Sequence, residues 1–553
     1  MIIFAGLSLF AAACILGVLL AAAAHRRMRA SAAHAVPAVN GYQQYLDDKR
    51  QLNAEGYAQQ LRRHRSGFSS FALSFATLSV ISGAVLYYGP IYELAGPWAF
   101  GIGLPAVAIC AILTSAVTAE LASAVPAAGG VYQWARKLGG RRWGRYTLLL
   151  RTFSDLCLLL LLGGAAAVML DAAVSRWIGY PPGVWSLLLW MLALLAVQTL
   201  LAVRSLRGSS LALSGGAWLQ VALVAAIVTG LIFLFEPGLQ PAAYLFSAGT
   251  HGNGDYSWLQ LAAALILLQR LFIGSDSASS ATEEIQSPSV NVPWGMYSST
   301  VYGFVFAYVL CVFVTLSIMD IAGISGSGNL FLALIANLWG WLSPVIAPLI
   351  YVGAVLCLWL SGLGVLTSAS RQWFAYLRDG SSAWSRWLQH IDSRRQTPQR
   401  LLILLAAAAA AMMFALALWR PWEAAATSRL IYVSAMSSVA FNLSLAIPIG
   451  LRLSRHRRVI HGSRKAPAAS GPPRWQLGRL SRPLQAVALL WLLGSAAGAA
   501  LLLAPLAGLH ALLAVLTLLL VWPLRRLIDR RVRLVQPASH QELLAQERSY
   551  RQL

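Results

Sequence analysis

Two long apolar segments of this sequence are interrupted by small and polar residues, and these interruptions are where the chain has the means to bind a ligand. The residues concerned are Ser82, Gly83 and Ala84 in segment 68–95, and Phe272, Gly274, Ser275 and Asp276 in segment 258–282. Glycine and small hydroxyl residues allow a helix to unwind, and unwound backbone persists at membrane depth only where it lines a cavity. Freed N–H groups at the first break suit a carboxylate, while freed carbonyls and Asp276 at the second suit an amine. Two structural alternatives remain: the glycines allow close helix packing, and Asp276 caps its own helix.

Three further ionisable residues lie inside apolar segments, where charges are costly and therefore suggest function. They are Arg151, Asp155 and Arg270. Arg151 and Asp155 are four residues apart on one helix, so we expect an internal ion pair, with a proton relay as the alternative. Arg270 either binds an acidic group of a solute bidentately or pairs inside the protein with Asp276, Glu93 or a helix carbonyl. We favour the internal pair, because an acidic residue follows six positions later.

The segments that carry these residues indicate an all-α polytopic membrane protein. Of the 553 residues, 58% are hydrophobic and 11% charged, and the mean hydropathy is +0.65. A soluble protein of this length needs more polar surface, whereas apolar segments of about 20 residues cross the hydrocarbon as helices. Thirteen such spans are predicted: 2–24, 68–95, 97–122, 145–170, 183–203, 210–235, 258–282, 294–320, 343–368, 399–418, 428–451, 483–503 and 505–524.

The distribution of basic residues predicts the orientation. If segment 68–95 starts in the cytoplasm, 37 of the 42 Lys and Arg residues lie on that side, and loop 236–257 has none. This positive-inside distribution predicts a multi-pass protein of the inner (cell) membrane with a cytoplasmic C-terminus. The net charge of +23 then reflects topology and contact with anionic lipid head groups, and no nucleic acid partner is expected.

The two interrupted segments each open a set of five spans. Interrupted helices at corresponding places are typical of transporters built from inverted repeats, with a binding site near the membrane midplane. The predicted organisation is an N-terminal helix (1–25), a cytoplasmic leader (26–67), a ten-helix core (68–452, in halves 68–235 and 258–452), a basic linker (453–482), two trailing helices (483–524) and a cytoplasmic tail (525–553).

The N-terminal helix has no basic residue before its apolar run, and Arg26 and Arg27 follow it. This arrangement favours an anchor with its N-terminus outside over a cleaved signal peptide. A translation start at Met28 would remove the helix.

Motifs for other kinds of chemistry are missing from the sequence. The five cysteines lie in predicted spans without metal-ligand spacing, and there is no phosphate-binding loop or catalytic triad. We therefore expect no enzyme activity, no metal and no cofactor. A membrane-embedded acyl or glycosyl transferase is the alternative from another class, but it requires clustered His and Asp residues at one membrane face.

Four stretches, in order along the chain, resemble motifs of the amino acid–polyamine–organocation permeases, most closely the GABA/choline/amino-acid permease branch. Residues 55–63 resemble the leader GY-x-x-x-L-x-R, and residues 120–132 resemble E-L-x-S-x-x-P-x-x-G-G-x-Y. Residues 272–293 are similar to G-x-D…E-E…N-x-P, and residues 370–380 to S-R-x-x-F-A-x-x-R-D-G. The resemblance implies the leucine-transporter fold, a 5+5 inverted repeat with two trailing helices. It also implies that the N-terminal helix is an addition that does not touch the core.

The resemblance carries expectations for particular residues. It places the substrate carboxylate at the first break, around Gly83, and an aromatic gate near position 270, where this chain has Arg270 instead. Gly364, Thr367 and Ser368 correspond to a cation site of sodium-coupled relatives, although hydroxyls in membrane helices commonly bond their own backbone. Glu120 resembles a gate residue, and Glu283 and Glu284 do likewise; solvated helix ends are the structural alternative.

These observations predict a secondary transporter for an amino acid or a related amine-bearing solute such as GABA, working by alternating access. Coupling to H⁺ or Na⁺, or exchange, is left open, as is the oligomeric state. A transporter-like sensor that binds the solute without moving it is the alternative.

Overall fold

The computed structural model of the chain describes residues 2–32, 41–233, 239–247, 257–318, 329–336, 343–380, 383–391, 397–418, 426–462 and 475–503. Within these ranges the protein is helical, and the only β-type pairing is a single bridge between Arg65 and Ile285. The α-helices, numbered in chain order, are α1 (Ile2–Ala32), α2 (Gly41–Ala54), α3 (Gly67–Leu78), α4 (Val80–Ala95), α5 (Leu104–Ala124), α6 (Val131–Gly139), α7 (Arg141–Ile178), α8 (Val184–Arg204), α9 (Leu206–Phe233), α10 (Trp258–Gln269), α11 (Pro288–Leu316), α12 (Leu330–Ala336), α13 (Ser343–Arg378), α14 (Ala383–Leu388), α15 (Gln399–Leu418), α16 (Ala426–Gly462) and α17 (Ser481–Leu503).

Eleven helical spans among the described residues are long and apolar enough to cross a membrane. The shorter apolar helix Trp258–Phe272 is the first half of the second interrupted segment. Twelve of the thirteen predicted spans are therefore observed as helices, and the all-α polytopic prediction is confirmed. The predicted span 505–524 and the tail 525–553 lie outside the described residues.

The first interrupted span breaks at Ser79, three residues before the predicted position. Between α3 and α4, Ser79 takes φ +47° and ψ 93°, and its hydroxyl caps α4 by accepting from the amide of Ser82 at 3.3 Å. Ser82, Gly83 and Ala84 lie in the first turn of α4, so their prediction as unwound residues was wrong. The prediction followed the flexibility of glycine, whereas the break forms where a serine caps the next helix.

The second break lies where it was predicted. α10 ends in a 3₁₀ turn, Arg270–Phe272, after which Gly274 takes φ +101°. Glycine adopts this conformation at no steric cost, unlike residues with a side chain. Two further 3₁₀ turns, Ser277–Ser279 and Thr282–Glu284, lead to α11.

The two breaks lie directly against each other. A Cβ atom on Gly274 would stand 3.0 Å from the carbonyl carbon of Thr77 and 3.1 Å from the amide nitrogen of Leu78, at the end of α3. The amide of Ala278 also donates to Ser74 Oγ at 3.1 Å. α11 packs against α3 and α5, while α7 packs against α13 and α16. These helices enclose the paired breaks, as expected for two five-helix sets that each open with a broken helix.

The N-terminal helix packs on the core, contrary to expectation. The hydroxyl of Tyr297 on α11 donates to the carbonyl of Gly17 at 2.7 Å, and Phe10 stacks on Tyr308 with ring centroids 4.4 Å apart. α1 also packs against α5. The expectation was wrong because it came from a resemblance to proteins that lack this helix. Such a resemblance carries no information on how the helix packs.

Candidate functional site

The amides at the first break bond to acceptors of the protein itself. Val80 N donates to Gln220 Oε1 of α9 at 2.9 Å, and Gly83 N donates to Ser79 O at 2.9 Å. A side chain on Gly83 would collide with Leu271, next to the second break. The packing role considered for this glycine is therefore present, whereas solute binding by Ser82, Gly83 and Ala84 stays a prediction.

The carboxylate of Asp276 is bound by an arginine of another helix. Arg151 Nη1 donates to its Oδ2 at 2.6 Å and Arg151 Nη2 donates to its Oδ1 at 3.1 Å. This is a bidentate, charge-assisted pair. Although Asp276 precedes the turn Ser277–Ser279, its side chain makes no capping hydrogen bond, so the capping alternative was wrong.

The predicted pair between Arg151 and Asp155 is confirmed, with Nε to Oδ1 at 3.0 Å. One guanidinium thus serves two carboxylates, and the second oxygen of Asp155, Oδ2, has no hydrogen-bond partner among the described residues. The Arg151 guanidinium also lies 4.7 Å from the ring centroid of Phe441. The pattern on α7 predicted the partner four residues away but gave no signal for Asp276.

Arg270 is buried beside the second break and pairs with hydroxyl groups instead of a carboxylate. Its Nε donates to Tyr87 at 3.2 Å, and its Nη1 lies 3.4 Å from Ser437 Oγ and 3.3 Å from Ser438 Oγ. The preferred internal pair with Asp276 or Glu93 was wrong. Asp276 pairs with Arg151 instead, and Glu93 lies exposed near the end of α4.

The hydroxyl groups around Arg270 were not predicted from the sequence. Ser434 donates to Tyr87 at 2.8 Å, and Ser437 exchanges hydrogen bonds with Ser154 of α7. Three serines within 434–438, inside an apolar span, were the signal that could have identified this surface of α16.

The other residues of the second break are close to it. Phe272 is buried, and the carbonyl of Ser275 is approached by Ser299 Oγ at 3.5 Å. Their role in binding an amine remains a prediction.

The hydroxyls of the predicted cation site bond within the protein. Thr367 donates to the carbonyl of Gly364 at 3.0 Å, and Ser368 donates to Ser280 Oγ at 2.9 Å. Gly364 lies against Thr77 at the end of α3, so this part of α13 does adjoin the first break. The structural alternative, a hydroxyl bonded to its own backbone, describes Thr367.

Glu120 holds the start of the trailing helix. It accepts from Ser481 Oγ at 2.6 Å and from the amide of Leu477 at 3.3 Å, and it pairs with Arg452 at 3.1 Å. These contacts join α5, α16 and α17, and they lie apart from the paired breaks.

Motif residues from the four family-like stretches meet at one end of the bundle, here called the charged end. Its ion pairs are Glu284 with Arg65 (3.0 Å) and Arg371 (2.8 Å), Glu283 with Arg378 (2.7 Å), and Asp379 with Arg136 (3.0 Å). Tyr57 and Tyr132 donate to Asp379, and the amide of Ala128 donates to Glu283. The charged residues were recognisable in the sequence, but their partners were not, because those partners come from distant segments.

Electrostatics at the charged end favour the ionised form of Glu284. Burial raises the pKa of Glu284, but the guanidinium groups of Arg371 and Arg65 outweigh burial and lower that pKa to about 2. The carboxylate is therefore fully ionised at neutral pH and keeps both arginines in place. Within the part of the chain that the structure describes, no group of three or more His, Cys, Asp or Glu residues is placed to hold a metal ion.

Comparison with known proteins agrees with this geometry. The profile of the family described as Amino acid permease matches residues 67–523. An uncharacterized amino-acid permease of Schizosaccharomyces pombe is 25% identical over 463 residues, which cover 79% of this chain and 76% of the relative. The amino-acid permease BAT1 of Arabidopsis thaliana is 24% identical over 481 residues, which cover 80% of this chain and 86% of the relative. The thiamine transporter thi9 of Schizosaccharomyces pombe is 39% identical over 104 residues, covering 19% and 18%.

The family match extends over the core and into the trailing helices, well beyond the four motif stretches. It agrees with the broken helices and indicates a multi-pass membrane transporter of amino acids or amines, not an enzyme. This chain therefore belongs to the amino acid permease family.

Proposed function

We propose that this permease moves an amino acid or a related amine-bearing solute by alternating access, with the solute bound beside the two helix breaks. The observation that carries the proposal is the contact of Gly274 with Thr77 and Leu78, which brings both discontinuities to one place. Discontinuous helices expose backbone dipoles at membrane depth, where they can replace the hydration shell of a charged solute.

The surroundings of the breaks support a zwitterionic solute. α4 contributes its positive N-terminal end at Val80–Ser82, and the second break contributes the carbonyls around Ser275. Arg151 holds Asp276 rigidly next to these carbonyls. The match to a thiamine transporter covers 19% of the chain, so it does not direct the choice of solute.

The charged end faces the cytoplasm in this proposal, and the protein lies in the inner (cell) membrane. The support is the sorting of basic residues, since arginine-rich ends of membrane proteins remain on the cytoplasmic side. Labelling of single cysteines from outside tests the orientation: a cysteine at the exposed position 386 on α14 should stay unlabelled, and efficient labelling there would reverse the topology.

Transport is tested by uptake of labelled amino acids into proteoliposomes of the full chain, with H⁺ and Na⁺ gradients imposed separately. We expect uptake of at least one amino acid, driven by one of the gradients or by exchange. Binding of an amino acid without uptake under any gradient would identify a sensor and overturn the proposal.

The position of the site is tested with Gly83→Ala. The added methyl group meets the flexible end of Leu271, so the protein should fold, while the spacing between the breaks changes. We expect uptake to fall roughly ten- to a hundred-fold, the scale of a misplaced binding group. Gly215→Ala on α9 is the matched control, because its methyl group would meet no atom within 4 Å. Unchanged uptake by folded Gly83→Ala protein would contradict the site assignment.

A further inference from the structure

Arg270 has a buried positive charge that no carboxylate of the described residues contacts. We propose that its guanidinium receives the carboxylate of the transported solute, so that the site selects carboxylate-bearing amines over organic cations. This inference rests on the proposed function, because it concerns the solute bound beside the same two breaks.

The hydrogen bonds of Arg270 leave part of the guanidinium unused. The side chain belongs to a residue that is 4% exposed, and its three partners are the hydroxyls of Tyr87, Ser437 and Ser438. No carboxylate of the described residues pairs with it, and its Nη2 atom has no hydrogen-bond partner there. Arginine stays protonated in proteins, so a buried charge remains here without a hydrogen-bonded counter-ion.

Arg151 provides the comparison within the same site. It is equally buried, yet its guanidinium makes three hydrogen bonds to the two carboxylates of Asp155 and Asp276. Those carboxylates carry one negative charge more than Arg151 balances, and Arg270 carries one positive charge more than its hydroxyl partners balance. The four groups together are neutral. A zwitterionic solute preserves this neutrality, whereas an organic cation adds an uncompensated positive charge beside Arg270.

The competing anion site at the first break is largely occupied. Val80 N donates to Gln220 Oε1, Ser82 N donates to Ser79 Oγ, and Gly83 N donates to Ser79 O. Arg270 is on the other break and retains donors, so it is the better receptor for a carboxylate in this protein.

The hydroxyl partners fix the plane of the guanidinium. Tyr87 holds Nε, and the two serines of α16 hold Nη1, which leaves the two N–H groups of Nη2 for a ligand. A carboxylate accepts a charge-assisted hydrogen bond from such a group. Tyr87, Ser437 and Ser438 act here as positioning residues.

The first test uses the wild-type full chain and matched solutes. The twenty common L-amino acids and 4-aminobutyrate are each compared with the primary amine that lacks the carboxylate, by thermal shift of the purified protein and by uptake into proteoliposomes. We expect stabilisation and uptake with the carboxylate-bearing member of at least one pair, and neither with its amine. Equal binding of an amine and its parent acid would overturn the role of Arg270.

The second test uses variants with the solute that binds wild-type protein. Arg270→Gln should weaken its binding at least about thirty-fold, since one partner of a buried charge pair is removed. Arg270→Lys keeps the charge but loses the planar guanidinium that the three hydroxyls orient, so its affinity should lie between those of wild type and Arg270→Gln. Arg176→Gln, at an exposed arginine near the end of α7, is the control and should bind like wild type.

The outcomes separate the two proposals. If Arg270→Gln retains the affinity of wild type, Arg270 is not the carboxylate receptor. The same follows if Arg270→Gln unfolds in the absence of solute while Arg270→Lys binds like wild type. Neither result contradicts transport. Binding that depends on Arg270 without any uptake overturns transport alone. If no carboxylate-bearing solute stabilises or enters with the wild-type protein, both proposals fail.

Discussion

The charged end and the region of the helix breaks both bury arginines, but they treat them differently. At the charged end, Arg65, Arg371, Arg378 and Arg136 each contact a carboxylate of the protein. At the breaks, Arg151 contacts two carboxylates and Arg270 contacts none among the described residues. Each arginine of the charged end thus has a carboxylate partner, whereas at the breaks one arginine has two carboxylate partners and the other has none in the described part of the chain.

The difference separates two uses of a buried charge. A pair whose members are both supplied by the protein fixes the arrangement of segments that are distant in sequence, as Glu284 does for Arg65 and Arg371. A buried charge without a partner from the protein can instead bind a ligand of opposite charge. The following predictions test whether the two regions differ in this way.

The largest effect is expected at the charged end, for Glu284→Gln. The substitution leaves Arg65 and Arg371, which are 1% and 2% exposed, without their shared carboxylate. We expect a loss of about 3–5 kcal/mol of stability, the range for breaking a buried pair. Thermal unfolding in detergent measures it, with Glu93→Gln at an exposed position as control. A shift no larger than that of the control would remove the structural role of the charged end.

The stability of the charged end should also depend on acid pH. The pKa of Glu284 is lowered in the folded protein from the usual 4.5 to about 2, so its contribution is complete above about pH 4.5. As the pH falls from 4.5 towards 2, the unfolded chain binds the proton first and this contribution is lost. Wild-type protein should therefore approach the stability of Glu284→Gln as the pH falls, in melts recorded across this range. A constant difference between the two proteins would contradict the assigned ionisation.

An intermediate effect is expected at the second break, for Gly274→Ala. The backbone takes φ +101° here, and the added Cβ would press on the backbone of Thr77 and Leu78. Strain of this kind costs about 1–3 kcal/mol, and uptake should fall with it because the breaks are pushed apart. Gly494→Ala on α17, where nothing lies within 4 Å, should retain both stability and uptake. Equal behaviour of the two variants would show that the contact between the breaks is unimportant.

A small effect is expected for Lys137→Gln at the rim of the charged end. Lys137 pairs with Glu55 at 2.7 Å, but the two side chains are 41% and 22% exposed. Exposed pairs contribute less than about 1 kcal/mol, and salt reduces this further. Melts at low and high salt measure the difference from wild type. A loss as large as that of Glu284→Gln would mean that burial does not decide the strength of these pairs.

The smallest effect on stability is expected for Arg270→Met in the absence of solute. Hydroxyl contacts of 3.2, 3.4 and 3.3 Å are lost but no protein carboxylate loses its hydrogen-bond partner, so we expect little loss of melting temperature. Arg151→Met is the matched comparison, because it leaves two buried carboxylates without a cation and should lose about 3–5 kcal/mol. If both variants were destabilised equally, the distinction between the two arginines would be wrong.

The elements of this fold were predictable because each is encoded in a continuous stretch of sequence. Twelve of the thirteen predicted spans are helices of the structure, and Gly274 lies at the second break. The pair of Arg151 and Asp155 was predictable for the same reason, since both residues are on one helix.

Contacts between distant segments were not predictable from one sequence. Arg151 and Asp276 are 125 positions apart, and only the packing of α7 against the second break brings them together. Asp276 therefore pairs with Arg151, and the partner expected for Arg270 was wrong as well. The first break was misplaced for a different reason: Ser79 and Gly83 both allow a break, and the choice depends on which residue caps α4.

The attachment of α3 to the segment after the second break has a mechanical consequence. At one end, Gly274 lies against Thr77 and Leu78; at the other, the amide of Gln286 donates to Arg65 O at 3.0 Å, and Arg65 N donates to Glu284 O at 3.0 Å. Midway, Ala278 is bonded to Ser74. Two stretches joined at three points along their length should move as one rigid body. A pair of spectroscopic labels, one on each stretch, should therefore keep a fixed separation when the protein changes conformation.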